Sequence, residues 1–226
     1  MCNALPLFTF KRIMKNKLLN SFLLFLAINA ISINLSKAQY EFIPDQTTGK
    51  PLTTARYENV TGTPYLVDAW LNGEVKLANG SIVKPKAIKY DAVTDKLLFQ
   101  QDGKIFEFFP RVAVFKLFAP NQTRTFLIND KNDQYFELLT DGDIKLLKKT
   151  KKVVLERKGY NSATVEKVID ENIKYFILVN DKQSEVKLNK KALAKLLPNY
   201  KSQIDEYTIS QGTEENDYIN LIKSLE

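Results

Sequence analysis

From about Tyr65 to Val186 apolar and polar residues alternate in short runs broken by turn residues, with a period of two rather than 3.6. Glu74–Leu77 alternates, Asn79-Gly80 interrupts, and Ser81–Lys84 returns. An Asn-Gly pair between such runs predicts a type I′ hairpin turn, whose two central residues both take φ > 0. The device recurs at Asp102-Gly103, between Lys96–Gln100 and Lys104–Phe108, and at Asp141-Gly142, between Gln134–Leu139 and Asp143–Leu147. Val112–Phe118 and Thr123–Ile128 lie either side of Ala119–Gln122, and Lys151–Glu156 and Lys174–Val179 read as two further strands. Strands at this spacing, joined by local turns, predict a mainly β (α+β) fold. The expected form is an antiparallel meander that curls as an open sheet or open barrel.

The period changes after residue 187. Asn189 is an N-cap candidate for Asn189–Leu197, where Leu193, Leu196 and Leu197 share one helical face and Pro198 ends the run. Lys201–Tyr207 and Glu214–Leu225 continue in helical register, with Glu214 and Glu215 at the N-terminal end that the helix dipole favours. Residues 188–226 are therefore expected to form short helices packed on the β domain of residues 65–187.

The other apolar block stands at the start. Lys11, Arg12, Lys15 and Lys17 precede the dense run Phe22–Ala27, and Ser36-Lys37-Ala38 follows as a small-x-small site. This order defines a secretory signal peptide over residues 1–38, cut before Gln39. Met14 reads as a more natural start than Met1. A retained spanning helix needs about 20 predominantly apolar residues, whereas Asn29, Ser32, Asn34 and Ser36 dilute the second half here. No transmembrane segment is expected after cleavage, so the chain is placed in the periplasm or outside the cell. Residues 39–64 are polar and turn-rich, with Pro44, Gly49-Lys50-Pro51 and Gly62-Thr63-Pro64, and read as an extended segment.

Composition matters chiefly through what the leader removes. The whole chain holds 33 basic and 26 acidic residues, a net charge of +7. Five of the basic residues lie in the leader, so the remaining 188 residues carry 28 against 26, and nucleic-acid binding loses its electrostatic support. Cys2, Met1 and Met14 leave with the leader, and the chain has no histidine. Thiol nucleophiles, Ser-His-Asp triads, Cys/His zinc sites and haem held by His, Met or Cys are thereby excluded from the mature chain. No cofactor is expected.

Several short signatures recur together: Gly62-Thr63-Pro64-Tyr65-Leu66, then Trp70, Gly73 and Val75, the Asn79-Gly80 turn, and Lys89-Tyr90-Asp91. Phe136-Glu137-Leu138-Leu139, Gly142 and Leu146-Leu147 follow, with Lys190-Lys191 near the end. With the Ser-Lys-Ala-Gln leader end, these resemble small exported β-rich proteins common in the Bacteroidetes. That resemblance implies fold and address but no assigned activity and no site residue.

Candidate chemistry is sparse. Asp130, Asn132, Asp133, Asp141 and Asp143 offer oxygens of the kind that bind Ca²⁺, but the Gly and distal Glu of an EF-hand are missing and turn chemistry explains them. Lys148, Lys149, Lys151 and Lys152 form the centre of the one local basic patch, which runs from Lys145 to Lys158. It reads either as a lysine-rich strand edge or as a surface for an anionic partner. Phe106, Phe108 and Phe115, with Phe109 and Phe118, crowd thirteen residues. With Tyr65 and Trp70 they are the candidate surface for a hydrophobic ligand or an envelope protein. The expected function is a non-enzymatic binding or structural module; the alternative is a carboxylate-dependent hydrolase of envelope glycans, which needs two facing carboxylates.

Overall fold

The computed structural model describes residues 49–51, 57–129, 131–158, 165–209 and 215–226. The expected leader and its expected cut site lie outside the described residues. Among the described residues there are thirteen strands and three α-helices; the strands are β1 (Gly49–Pro51), β2 (Val60–Thr61), β3 (Gly73–Lys76), β4 (Ile82–Val83), β5 (Ile88–Asp91), β6 (Lys96–Gln101), β7 (Lys104–Phe108), β8 (Val114–Ala119), β9 (Gln122–Asn129), β10 (Gln134–Leu138), β11 (Lys145–Lys158), β12 (Val165–Val179) and β13 (Lys182–Val186). Three helices close the chain: α1 (Lys190–Leu196), α2 (Lys201–Glu206) and α3 (Glu215–Ser224). Asn189 caps α1 as expected, its side-chain oxygen accepting from the Ala192 N–H at 2.8 Å. Among the described residues no helix is long and apolar enough to cross a membrane.

The fold is mainly β, as the alternation predicts. A large mixed sheet runs β13-β12-β11-β10-β9-β8-β3-β4, with β2 lying parallel beside β12. A small sheet runs β1-β7-β6-β5, its strands β5 to β7 lying between β4 and β8 in the chain. The meander from β8 to β13 is strictly local and antiparallel. It is also strongly curled. Four strand spacings of about 4.8 Å would hold β9 and β13 about 19 Å apart in a flat sheet. Instead the Asn129 amide donates to the Gln183 side chain at 2.6 Å. The curl does not close: β9 and β13 are joined by side chains, and the result is an open barrel rather than a closed one.

Cross-strand partners share a face, so the register sorts the core. Ile88 pairs with Phe99, Tyr90 with Leu97 and Phe99 with Phe106, which puts the apolar face of the small sheet against the large one. There it meets Val75, Phe115, Leu117, Phe126 and Tyr135, a cluster of buried residues dominated by aromatic pairs. Phe115 and Phe126 stack at 4.6 Å, and Tyr135 stands edge-on to Phe115 at 4.9 Å. A second core lies between Leu146, Ile177 and Val186 of the large sheet and Leu193, Ile204, Leu221 and Ile222 of the helices. Polar pairs separate the two: Arg124 grips Glu137 through two bonds of 2.6 Å, and Lys148 pairs with Glu215 at 2.7 Å.

The turns divide by chemistry. Asp102 and Gly103 both have φ > 0, as a type I′ turn requires. At Asn79-Gly80 only Gly80 does, and the Gly80 N–H donates to the Leu77 carbonyl, so a turn centred on Ala78-Asn79 is followed by a left-handed glycine. The Asn79 side chain accepts from the N–H and hydroxyl of Ser81. Asp141-Gly142 forms neither: neither residue has φ > 0, and the Glu226 carboxylate packs against Gly142, where a methyl group would fall 1.9 Å from it, and accepts from the Ile144 N–H. β11 likewise merges two expected strands into one of 14 residues.

Gly73 is needed for close approach. A Cβ there would lie 2.1 Å from Ile88 Cδ1 and 2.4 Å from the Lys116 carbonyl oxygen. The backbone oxygen cannot yield as a flexible side chain would. Gly73→Ala is expected to cost about 1–3 kcal/mol or more by overpacking, lowering the thermal midpoint by about 2–4 °C per kcal/mol for a domain of this size. An unshifted melting curve would show that β3 and β8 part easily.

Candidate functional site

The structure splits the residues singled out in sequence into three settings. Phe108 and Phe115 are fully buried and Phe106 half-buried, all within the core between the sheets. Phe106 stacks on Phe99 at 5.2 Å, so these rings are spent on one another. Tyr65 and Trp70 lie apart from them. Both rings face the Lys89 ammonium, at 4.3 and 5.1 Å from their centroids, and Asp68 completes its surroundings at 3.2 Å. A cation between two aromatic faces is favourable. The platform open to a ligand in sequence terms is filled by the chain's own lysine.

The basic run is divided in the same way. Lys151 is exposed, whereas Lys148 is held by Glu215 and lies over the Tyr175 ring. Lys149 and Lys152 are buried, at 9 % and 7 % exposure. Lys152 donates to the carbonyls of Thr63 and Tyr65 at 3.1 and 2.8 Å and faces Glu171. A lysine run on one strand therefore does not make one surface.

Lys149 leads to a cluster that sequence reasoning missed. β10 and β11 pair only at Glu137–Lys148 and Leu138–Leu147, and the strands then separate. The loop after β5 enters the gap, where the Ala92 carbonyl accepts from the Lys152 N–H at 3.0 Å. That loop is shaped by Asp91, whose carboxylate accepts from the N–H groups of Val93 and Thr94 and from the Tyr57 hydroxyl. At its end Asp95 takes a left-handed conformation, φ 59°, and points its carboxylate at β10.

Asp95 and Lys149 then stand in for the lost strand pairing. The Tyr135 N–H donates to Asp95 Oδ2 at 3.2 Å, and Lys149 Nζ donates to the Tyr135 carbonyl at 2.9 Å. Lys149 also donates to Asp95 Oδ1, which accepts the Tyr90 hydroxyl as well, and Arg111 holds Oδ2 at 2.9 Å. Arg111 lies 4.4 Å above the Tyr135 ring and reaches Asp133. Four donors occupy the roughly four lone-pair directions of one carboxylate.

Burial sets the electrostatics. It would raise the Asp95 carboxyl, but the charge of Lys149 and the bonds from Lys149, Tyr90 and Arg111 outweigh it and hold the group below its ordinary value. Burial pushes the Tyr90 phenol far upward, with the Asp95 charge adding to it, so the hydroxyl stays protonated as a donor. Burial lowers the Lys149 ammonium, and Asp95 only partly restores it. The arrangement serves to bind one strand to a loop through fixed charges.

Elsewhere, a shallow depression of about 340 Å³ opens at the tips of the β9–β10 and β12–β13 hairpins, with Phe176 among polar residues that include Asp181 and Glu185. Glu185 is paired with Lys174 at 2.9 Å. Of the turn acids, Asp133 is bound by Arg111 and Asp141 by Lys145, while Asp130 lies outside the described residues. Among the described residues no three acidic, His or Cys side chains group as metal ligands. Comparison with family models, curated proteins and solved structures returns no match, so these geometries stand on their own physical terms.

Proposed function

We propose that the chain is exported and works as a non-enzymatic module that presents the β11–β12 hairpin to a protein partner in the cell envelope. The observation that carries this reading is where the exposed apolar residues fall. Seven large apolar side chains are exposed among the described residues, and four of them, Val154, Leu155, Val165 and Ile173, lie on this one hairpin, the first three on its outer half. The register puts Val154, Ile169, Val165 and Ile173 on a single face. Covering a fully exposed side chain of this size contributes about 1.5–3 kcal/mol; these are 37–54 % exposed, so each contributes about half of that or less, and several must act together to carry a contact. The apolar-ligand reading finds less support, because the aromatic rings fill the space between the sheets.

The test is a photoreactive residue placed at Val165 in the full chain, in its own cells, with Ile82 at the other edge of the sheet as control. A discrete adduct from Val165 alone is expected, on a chain whose N-terminus is Gln39. Uncrosslinked monomer at both positions would count against the reading.

A further inference from the structure

We propose that the mouth of the open barrel formed by β9 to β13 binds a neutral saccharide, held by the Phe176 ring and the side-chain amides of Asn129, Asn132 and Gln183. The register places the site. Asn129 is opposite Gln134, Leu138 opposite Leu147, Leu147 opposite Phe176 and Leu178 opposite Gln183, so these residues share one face with Phe136. The bond between Asn129 and Gln183 therefore folds the sheet inward over that face. Inside the curl Phe136 and Leu147 are buried yet belong to neither of the two cores. Phe136 stands edge-on to Phe176 at 5.2 Å, and Phe176, itself half-buried, lines the depression at the mouth.

The polar groups around this ring are not spent on the protein. Gln183 accepts from Asn129, but its own amide N–H groups have no partner among the described residues. The same holds for the side chain of Asn132 and the carboxylate of Asp181. The Tyr65–Trp70 platform holds the chain's own Lys89, whereas among the described residues no cation lies over Phe176. The mouth is also held in shape. The Asn129 side-chain oxygen accepts from the Lys131 N–H at 2.9 Å, and Arg111 ties Asp133 of the same turn to Asp95. Groups fixed before binding lose less freedom when a ligand arrives.

Charge then selects the ligand. Lys131 and Lys182 offset Asp181 and Glu185 around the depression, and Glu185 is already paired with Lys174 at 2.9 Å. The Lys131 ammonium lies 3.5 Å from the Asp181 carbonyl. A charged ligand would lose hydration there without meeting a net opposite charge. A sugar ring fits what remains. Its C–H face covers an aromatic ring, and its hydroxyls donate and accept as the carboxamides do. A volume of about 340 Å³ lies at the small end of the ~300–1,000 Å³ usual for ligand sites and suits a short saccharide segment. The mouth is at the opposite end of β12 from Val165, so this site is independent of the hairpin contact proposed above.

The experiment records NMR spectra of the full mature chain titrated with neutral probes: maltotriose, cellotriose and the trisaccharide of N-acetylglucosamine. A galacturonic acid trisaccharide and a Gly-Phe-Gly peptide are the charged comparisons. At least one neutral probe is expected to bind with a dissociation constant of about 1 mM or tighter. It should shift the side-chain amides of Asn129, Asn132 and Gln183 and leave the Trp70 indole N–H in place. Asn132→Ala removes a side chain that bonds nothing among the described residues. It is expected to keep the melting curve and to weaken binding about threefold or more, the loss of one hydrogen bond. Phe176→Ala is expected to weaken binding about tenfold or more, equivalent to about 1.4 kcal/mol. If that variant melts earlier than the parent, Phe176→Leu serves instead, filling the place beside Phe136 without a flat ring, and is expected to show the same loss. The site is overturned if no neutral probe shifts these amides at millimolar concentration, or if both the Asn132 and the Phe176 variants bind like the parent. Tighter binding of the acidic sugar or the peptide overturns it as well.

Discussion

Asp95→Ala is expected to destabilise the protein by about 3–5 kcal/mol, the cost of leaving a buried charge without its partner. Folding free energies are only about 5–15 kcal/mol in total, so a urea midpoint should fall sharply. Lys149 would lose its carboxylate while 9 % exposed, and the Tyr135 N–H and Tyr90 hydroxyl would lose their acceptor. Replacing both charges, Asp95→Leu with Lys149→Met, should recover part of the loss, because no lone charge remains. It should not recover all of it, because the Tyr135 N–H and carbonyl would then be unpaired, at about 1–3 kcal/mol for each buried group. Full recovery in the double variant would show that the pair does not replace strand pairing. The same carboxylate predicts the acid limb of stability. Its folded value lies below the ordinary 3.8, so its contribution is present above that pH and is lost as pH falls through the depressed value. Asp95→Asn is expected to flatten stability against pH in that acid window.

Phe115→Ala is expected to cost a similar amount, about 3–5 kcal/mol, as for other buried phenylalanines. Phe115 is 0 % exposed and contacts Tyr90, Phe126 and Tyr135 at centroid distances of 5.7, 4.6 and 4.9 Å. Truncation removes all three aromatic pairs and leaves a cavity between sheets whose backbones are fixed by their own ladders. The check is denaturant unfolding, with an unchanged slope and a lower midpoint. A loss below about 0.5 kcal/mol, the range of ordinary surface changes, would place Phe115 on a free surface.

Much of this fold is local in origin. Hairpins with two-residue loops, the Asn189 cap and the Leu193–Leu197 spacing are determined by residues a few positions apart, so the meander and its helices are written in the sequence. Even there, a glycine's setting decides the turn. Asp102-Gly103 faces solvent and takes the expected φ > 0 at both residues, whereas Gly142 is constrained by Glu226, 84 positions later.

The site shows the opposite dependence. Asp95 and Lys149 are 54 residues apart, Lys152 and Tyr65 87. Nothing near Lys149 in sequence distinguishes it from exposed Lys151 two positions on. What separates them is where β10 leaves β11 and which loop enters the gap, and those follow from the curl of the whole sheet. The sequence by itself determined the strand alternation, the Asp102-Gly103 turn, the helices and the absence of histidine, because each depends on composition or near neighbours. The tertiary structure alone decided which aromatics are core and which lysines are buried, because burial is a property of distant strands brought together.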